Sequence, residues 1–338
     1  MKDYGIYILA NDKVYDQLVA LLNSIEENFN LKIPICIIPY DDRLTKVKQE
    51  INIRKDNVTL FDNQESIDRW EKFAHDVWSA HPKSKDSKWS RTWWSSGHLQ
   101  RKMCAFDGPF NRFIFCDADS LVMKPLNDVF EKLQTNFFVF DDWIHAKPRL
   151  EAPLNIPLLE SLDLCTESEL RPRLHCSDFF GSRQGLFPKA DLESLKKSLI
   201  HSREVEWLTA WWDDAHLFNY LTFKLRHPLF NFTLSTQGRD RTGNCADSDS
   251  FTNVNNVLYN SEGLKPIHRI HYMNYSSDGF TYLCKGEDVD IAYRDVFLHY
   301  RFLKQPEEMP QKLTSPNLFQ RSHRLSSKVT RKVQKVLA

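Results

Sequence analysis

The hydrophobic pattern at the start of the chain predicts a strand, a helix and a second strand. Residues 4–10, YGIYILA, form an apolar run of strand length, and residues 33–40, IPICIIPY, form another. Between them, Asn11 or Asp12 can cap a helix whose apolar residues share one face: Val14, Leu18, Leu21, Leu22 and Ile25. This opening predicts an α/β fold with a mostly parallel central sheet and helices on both faces. Ligands of such sheets bind at the carboxyl ends of the strands.

A third apolar run ends in two carboxylates. Phe113 to Cys116 predict a buried strand, and Asp117 and Asp119 follow it one residue apart. Alternate side chains of an extended chain point the same way, so both carboxylates face one site. Two such charges repel each other and lose hydration unless a cation holds them. Oxygen ligands suit Mg²⁺ or Mn²⁺, which proteins commonly bind through one or two carboxylates together with substrate phosphates.

Further elements follow along the chain. The pattern predicts a helix over 97–106, strands over 136–143 and 177–188, a helix start with an acidic pair over 207–222, and a late strand over 265–275. Two longer segments have no such pattern. Residues 62–96 are polar and aromatic and form a candidate lid insert, and residues 147–175 are rich in proline and acid and predict a surface connection.

Residues 1–310 are predicted to form a single domain, and 311–338 a basic tail. The tail holds seven of the 45 basic residues and none of the 45 acidic ones, so the remainder carries a net charge of −7. A basic block like this is commonly a solvated tail, and the alternative is peripheral contact with an anionic membrane. The negative charge of the remainder argues against nucleic acid as a partner.

The composition indicates a globular protein of a reducing compartment. Apolar residues make up 41% of the chain and charged residues 27%, as in ordinary globular domains. The seven cysteines are odd in number and have no C-x-x-C spacing, which argues against disulfides and a zinc ribbon. The opening residues lack a signal-peptide cleavage pattern, and no apolar stretch reaches the roughly 18 residues of a membrane span. We expect a cytoplasmic location, with membrane association through the tail as the open alternative.

Two histidines and a lysine are candidates to complete a metal site. His268 and His271 lie on the late strand, and neutral imidazole is a common ligand of Mn²⁺. The pattern leaves open which of the two is the ligand, since a single histidine is more often a satisfied polar residue. Lys102, next to Arg101, lies on the helix before the Asp117 strand, where a cation would stabilise a leaving phosphate.

The order of these motifs resembles the GT-A-fold glycosyltransferases, and most of all the glycogenin-like members of glycosyltransferase family 8. That resemblance implies a Rossmann-like sheet over roughly residues 4–275. The segment LANDKVYDQLVALLNSI is similar to the family's first strand, loop and helix, where the uridine nucleotide binds. It implies that the nucleotide contacts Ala10, Asn11 and Tyr15.

The central block RKMCAFDGPFNRFIFCDADSLVMKPLNDVF carries the most specific part of the resemblance. It is similar to the family's lysine, apolar strand and D-A-D motif. By resemblance, Asp117, Ala118 and Asp119 bind the donor, and the two aspartates hold a Mn²⁺ or Mg²⁺ ion. Lys102 carries over as a group at the reacting centre.

Two later segments match the family less closely. DDAHLFN is similar to the family's D-Q-x-x-L-N segment near the sugar, which implies Asp214, and also points to Asp213, as a residue at the sugar. HYMNY is similar to the segment that holds the family's metal-ligand histidine, which implies His271 as a metal ligand. No G-x-x-K-P-W follows this histidine. Asp178, in SDFFGS, stands where the family has an amide. Asp178 is the alternative to Asp214 for orienting the sugar hydroxyls or the acceptor.

The resemblance implies a metal-dependent glycosyltransferase that uses a nucleoside-diphosphate sugar, with uracil as the expected base and retention as the expected stereochemistry. The acceptor, whether glycan, lipid or protein, is left open.

Three other classes of protein remain as alternatives. A haloacid-dehalogenase-type phosphatase also has D-x-D after a strand, but it needs a late acidic pair, for which GEDVDIAYRD is the nearest match. A nucleotidyltransferase would need a glycine-rich loop in place of LANDKVY, and a catalytically dead sugar-nucleotide or glycan-binding protein is compatible with Asp178.

Overall fold

The computed structural model describes residues 2–29, 32–86, 97–142, 152–209, 214–232, 242–248, 250–260 and 264–315. The strands are β1 Lys2–Ala10, β2 Ile35–Pro39, β3 Val58–Leu60, β4 Phe110–Asp117, β5 Ser120–Val122, β6 Phe138–Phe140, β7 Phe179–Arg183, β8 Leu229–Asn231, β9 Gly243–Cys245, β10 Phe251–Val254, β11 Val257–Asn260 and β12 Arg269–His271. The α-helices are α1 Tyr15–Asn28, α2 Thr45–Arg54, α3 Gln64–Ala80, α4 Asn127–Lys132, α5 Ile156–Ser161, α6 Glu167–Leu170, α7 Lys189–His201, α8 Ala215–Leu225, α9 Ser277–Cys284 and α10 Arg294–Arg301. A longer 3₁₀ helix spans His98–Asp107.

Seven strands form the main sheet in the order β3-β2-β1-β4-β7-β6-β8. Strands β1 to β4 run parallel, as do β6 and β8, whereas β7 is antiparallel to both β4 and β6. The predicted α/β class with a mostly parallel sheet is confirmed. Asn11 caps the turn that leads into α1, because its side chain accepts a hydrogen bond from the Lys13 N–H.

The alternation of side chains along the strands builds a core on each face of the sheet. In β1, Tyr7 and Leu9 pack on the face covered by α3, α7 and α8. Ile6 and Ile8 pack on the opposite face with α1 and α4. Helices therefore cover both faces, and polar side chains collect at the strand ends.

Two segments differ from the sequence prediction. Residues 62–96 have no predicted element, but the structure has helix α3 there. One face of this helix packs into the core through Ile67, Trp70 and Val77. The remainder of the candidate lid, 87–96, lies outside the described residues. Of the predicted connection 147–175, residues 147–151 lie outside the described residues, and 152–175 are not a surface connection. This part buries four leucines that complete the core on the α3 side, in α5, in α6 and in the chain on either side of them: Leu154, Leu159, Leu170 and Leu174.

A smaller sheet, β5-β12-β9, lies beside the carboxyl end of β4. β12 is antiparallel to β5 and parallel to β9, and α9 and α10 cover this sheet with a third apolar cluster. The Asn23 side chain of α1 donates to the Tyr300 carbonyl oxygen at 2.7 Å, which ties the cluster to the main sheet. β12 thus brings its polar side chains to the D-A-D turn.

Among the described residues, the helices are too short or too polar to cross a bilayer. All seven cysteines are free thiols. The predicted basic tail lies outside the described residues from 316 onward.

Candidate active site

The D-A-D motif forms the turn between β4 and β5 at the carboxyl edge of the sheet. The Asp117 N–H donates to the Asp178 carbonyl oxygen at 2.8 Å, and the Tyr272 N–H donates to the Asp119 carbonyl oxygen at 2.9 Å. Ala118 is buried between them and packs into the core beneath. The backbone is therefore held from two sides, by the start of β7 and the end of β12, and the two carboxylates project from the edge.

Three side chains that the sequence singles out come together here. One ligand atom from each of Asp117, Asp119 and His271 lies within 4.8 Å of the others. The His271 Nε2 is 3.1 Å from an Asp119 oxygen, and about a quarter of each carboxylate side chain is exposed. Two carboxylate oxygens and one imidazole nitrogen fit Mn²⁺, and Mg²⁺ less closely because it favours oxygen.

Asp178 holds the other ring nitrogen of His271. The His271 Nδ1–H donates to the Asp178 carboxylate at 2.7 Å, which leaves Nε2 directed at Asp119. Burial by itself lowers the pKa of His271, but Asp119 and Asp178 outweigh it and raise that pKa well above its usual value. Burial likewise raises the pKa of Asp119, yet the nearby imidazole brings the net value below normal.

Lys102 is buried between two carboxylates. Its ammonium contacts Asp117 at 3.2 Å, forms an ion pair with Asp214, and donates to the Ser177 carbonyl oxygen at 3.1 Å. An ammonium has three N–H bonds, so these partners use all of them. Burial, together with Asp119 and Asp214, raises the pKa of Asp117 to about 7, although Lys102 opposes this rise. Lys102 therefore joins Asp117 to Asp214.

These groups, with Asp178 and its ion-pair partner Arg269, form a carboxylate cluster with an excess of negative charge. The Arg269–Asp178 pair is 2.6 Å long, and the side chains of both residues are buried. The cluster has four carboxylates, of Asp117, Asp119, Asp178 and Asp214. Lys102 and Arg269 are its permanent cations among the described residues, so two negative charges remain when His271 is neutral and one when it is protonated. A divalent cation is the ion that balances such a site.

The predicted nucleotide contacts lie along β1 and the start of α1. Ala10 ends β1 and is buried, and Asn11 donates to an Asp41 oxygen at 2.9 Å from the next strand end. The Tyr15 hydroxyl donates to Glu50 of α2 at 3.1 Å. Burial first, and then Glu50, raises the pKa of Tyr15 to about 12. Asn11 thus faces the carboxyl edge with Asp41, whereas the Tyr15 hydroxyl binds to α2.

His268 has a different environment from His271. Its Nδ1 contacts Asp141 at 2.9 Å and its Nε2 contacts Asp128 at 2.8 Å, and the side chain is fully buried. The two carboxylates lie at opposite ring nitrogens, and among the described residues the three side chains whose ligand atoms converge within 4.8 Å are those of Asp117, Asp119 and His271. His268 therefore resembles a satisfied core histidine.

Sequence reasoning missed two residues of this edge. Arg269 lies between the two histidines in HRIH, and the available signal was the alternation of side chains, which places it on the same face of the strand as His271. Asp41 lies two residues after the end of β2, at the same edge of the sheet where Asp117 ends β4. Of the other candidates, Arg101 donates to the Pro39 carbonyl oxygen and pairs with Glu71, and Asp213 lies outside the described residues.

Comparison with known proteins gives matches in structure but not in sequence. No protein-family model and no curated protein matches the chain. The bifunctional glycosyltransferase WbbM, in its apo structure, has a TM-score of 0.52 at 13% identity over 89% of this chain, which spans half of the WbbM chain. The galactosyltransferase LgtC, solved with donor and acceptor sugar analogues, has a TM-score of 0.50 at 12% identity over 86% of this chain and 99% of its own.

A third structure agrees with these two. The apo form of mouse xyloside xylosyltransferase 1 has a TM-score of 0.50 at 11% identity over 68% of this chain and 85% of its own. Identities this low carry information about fold alone. The chain has the GT-A fold of these glycosyltransferases.

Proposed function

We propose that the protein is a metal-dependent glycosyltransferase that takes a sugar from a nucleoside-diphosphate donor, with uridine diphosphate as the expected carrier and retention as the expected outcome. The observation that carries this proposal is the convergence of Asp117, Asp119 and His271 at the carboxyl edge of the sheet. The excess of negative charge in the carboxylate cluster supports it, because such a site favours a cation from solution.

Asp117, Asp119 and His271 would hold the Mn²⁺ or Mg²⁺ ion, whose positive charge would stabilise the departing diphosphate. Lys102 keeps the Asp117 and Asp214 carboxylates in place and neutralises part of their repulsion. Asp214 is the better candidate to orient the sugar or the acceptor, since the Asp178 carboxylate is turned toward Arg269 and His271. Ala10, Asn11 and Tyr15 would bind the nucleotide, with Asn11 held in place by Asp41.

Donor binding is tested by thermal stability against nucleoside diphosphates and diphospho-sugars, with Mn²⁺, with Mg²⁺ and with chelator. A ligand at about 100 times its Kd should stabilise the parent by roughly 2.7 kcal/mol, and only with metal present. Asp119→Asn should fold normally and lose this stabilisation. Asp76→Asn is a matched control, because Asp76 has the same 25% side-chain exposure and pairs with lysines far from the site.

Each alternative gives a different result. Equal donor binding by Asp119→Asn and the parent would contradict the metal site. Metal-dependent binding without slow hydrolysis of the donor would indicate a binding protein. Trapping of an aspartyl-phosphate analogue by beryllium fluoride, with no response to any nucleotide, would indicate a phosphatase with Asp117 as its nucleophile.

The basic tail is a separate part of the proposal. We propose that residues 311–338 bring the enzyme to an anionic membrane surface, since they combine seven positive charges with no acid. Each charge near such a surface contributes about 1 kcal/mol. Deletion of residues 316–338, which keeps the Thr314 hydrogen bonds to Gly286 and Asp288, should weaken sedimentation with phosphatidylserine vesicles by at least tenfold and leave turnover of soluble substrates unchanged. Equal sedimentation of both proteins would remove this role.

A further inference from the structure

Arg269 has an environment that the proposed chemistry does not use. Its guanidinium is buried, with 3% of the residue exposed, and it lies over the Phe179 ring at 5.1 Å. Asp178 is its ion-pair partner, while Nε and Nη1 have no hydrogen-bond partner among the described residues. A buried cation of this kind destabilises a protein unless it is paired. Its position therefore needs a reason other than general stability.

The Arg269 pair shares an atom with the His271 contact. One Asp178 oxygen lies 2.6 Å from the Arg269 guanidinium and 2.7 Å from the His271 Nδ1. Arg269 and His271 are two residues apart in β12, so both side chains project from the same face of the strand. Arg269, Asp178 and the imidazole thus form a continuous chain of contacts that ends at Asp119.

The backbone holds this chain of contacts in place. β12 is paired on both sides, with Arg269 opposite Val122 and Gly243. A Cβ atom at Gly243 would lie 2.7 Å from the Arg269 carbonyl oxygen, so only glycine lets β9 approach this closely. The backbone of Arg269 is therefore fixed in the same strand that carries His271.

We propose that Arg269 and Asp178 form a positioning pair that fixes the His271 imidazole with Nδ1 on Asp178 and Nε2 toward the Asp117–Asp119 carboxylates. An asparagine at 178 could still accept the Nδ1–H bond, but it would leave the buried Arg269 without its ion-pair partner, and only the Asp141 carboxylate would offset its charge. This explains why the chain has a carboxylate where the resembling family has an amide. The inference rests on the proposed metal site and assigns Asp178 to the imidazole rather than to a sugar hydroxyl.

The test measures Mn²⁺ affinity without nucleotide, by electron paramagnetic resonance of the free ion, together with thermal stability in chelator. Asp178→Asn and Arg269→Met should each weaken Mn²⁺ binding by about 10- to 100-fold, the usual effect of losing an outer partner of a metal-ligand histidine. The double variant Asp178→Asn/Arg269→Met removes both charges and keeps an acceptor for Nδ1. It should be more stable than either single variant and bind Mn²⁺ within about tenfold of the parent.

Two further variants keep the result interpretable. Arg269→Lys retains a charge and should fold even if Arg269→Met does not, with a smaller loss of Mn²⁺ affinity, about threefold to tenfold. Arg54→Met removes an equally buried guanidinium, paired with Glu50 and Glu26, and should lower thermal stability without changing Mn²⁺ affinity.

The outcomes separate this inference from the proposed function. Parent-like Mn²⁺ affinity in Arg269→Met, or in Arg269→Lys when the methionine variant does not fold, would overturn the positioning role. A double variant no better than either single one would also overturn it. If Asp119→Asn binds Mn²⁺ like the parent as well, the metal site itself fails. If Asp119→Asn loses the ion while both Arg269 variants keep it, only the positioning pair fails.

Discussion

Two groups of buried charge meet at β12, and they differ in how their charges are balanced. The His268 cluster consists of His268, Asp128, Asp141 and Lys124, and its two acids face two bases. Among the described residues, the carboxylate cluster has four acids against two permanent cations and His271, so it keeps one negative charge even when the imidazole is protonated. A balanced cluster is complete within the protein, whereas an unbalanced one needs a cation from solution. The difference separates two histidines only three residues apart.

Lys102→Met should produce the largest effect, because it leaves Asp117 and Asp214 without their shared cation. Removing one member of a buried ion pair costs about 3–5 kcal/mol, and we expect that loss in the free energy of unfolding. Lys124→Met in the His268 cluster is the matched control. Lys124 pairs with a partly exposed Asp128, so its loss should cost less than about 1 kcal/mol.

Mn²⁺ sharpens this test. If the carboxylate cluster takes a divalent ion, Mn²⁺ should narrow the stability gap between Lys102→Met and the parent, since the ion neutralises Asp117 directly. Denaturant unfolding with Mn²⁺ and with chelator measures the gap. A stability gap that Mn²⁺ does not narrow would mean that the carboxylate cluster does not take the ion at Asp117.

His268→Gln should lower stability without affecting the metal site. Both of its carboxylate contacts are lost, but Asp128 keeps Lys124 and Asp141 keeps the Thr242 hydroxyl at 2.5 Å. We therefore expect a loss of about 3 kcal/mol in the free energy of unfolding, at the lower end for buried pairs. Mn²⁺ affinity should stay within about threefold of the parent. A hundredfold loss of affinity would mean that His268 belongs to the metal site.

Much of the sheet and the centre of the site could be predicted from local pattern. The strand–helix–strand opening and the run from Phe113 to Asp119 have strong periodic signals. The helix α3 was also visible in principle, because Ile67, Trp70 and Val77 follow helical spacing. Its aromatic and polar composition masked that period. The helices within 152–175 have too few leucines each to show a helical period.

The remaining features depend on contacts between distant parts of the chain. The antiparallel direction of β7 is set by its pairing with β4 and β6, not by its own composition. The choice of His271 over His268 depends on which carboxylates each one meets after folding. The same holds for Arg269, whose partner Asp178 is 91 positions away in the chain. The sequence shows that such residues are present, but not which residues they contact after folding.

The smallest expected effect is on pH dependence, and it reports the charge of His268 directly. Burial lowers the pKa of His268, but the contacts with Asp128 and Asp141 outweigh it and raise the pKa above its usual value near 6.5. A raised pKa gives stability that is complete at pH values below the pKa of the unfolded state and is lost as the pH rises through the pKa of the folded state.

The stability gap between the parent and His268→Gln should therefore be widest at pH 6 and narrow above about pH 6.5, by at most roughly 1.4 kcal/mol per pH unit. His271 titrates in both proteins and cancels in the difference. Urea unfolding from pH 6 to 9 measures the gap. A constant gap would mean that folding leaves the pKa of His268 unchanged, and a gap that widens from pH 6 upward would mean that folded His268 is neutral and that its cluster is not the balanced one.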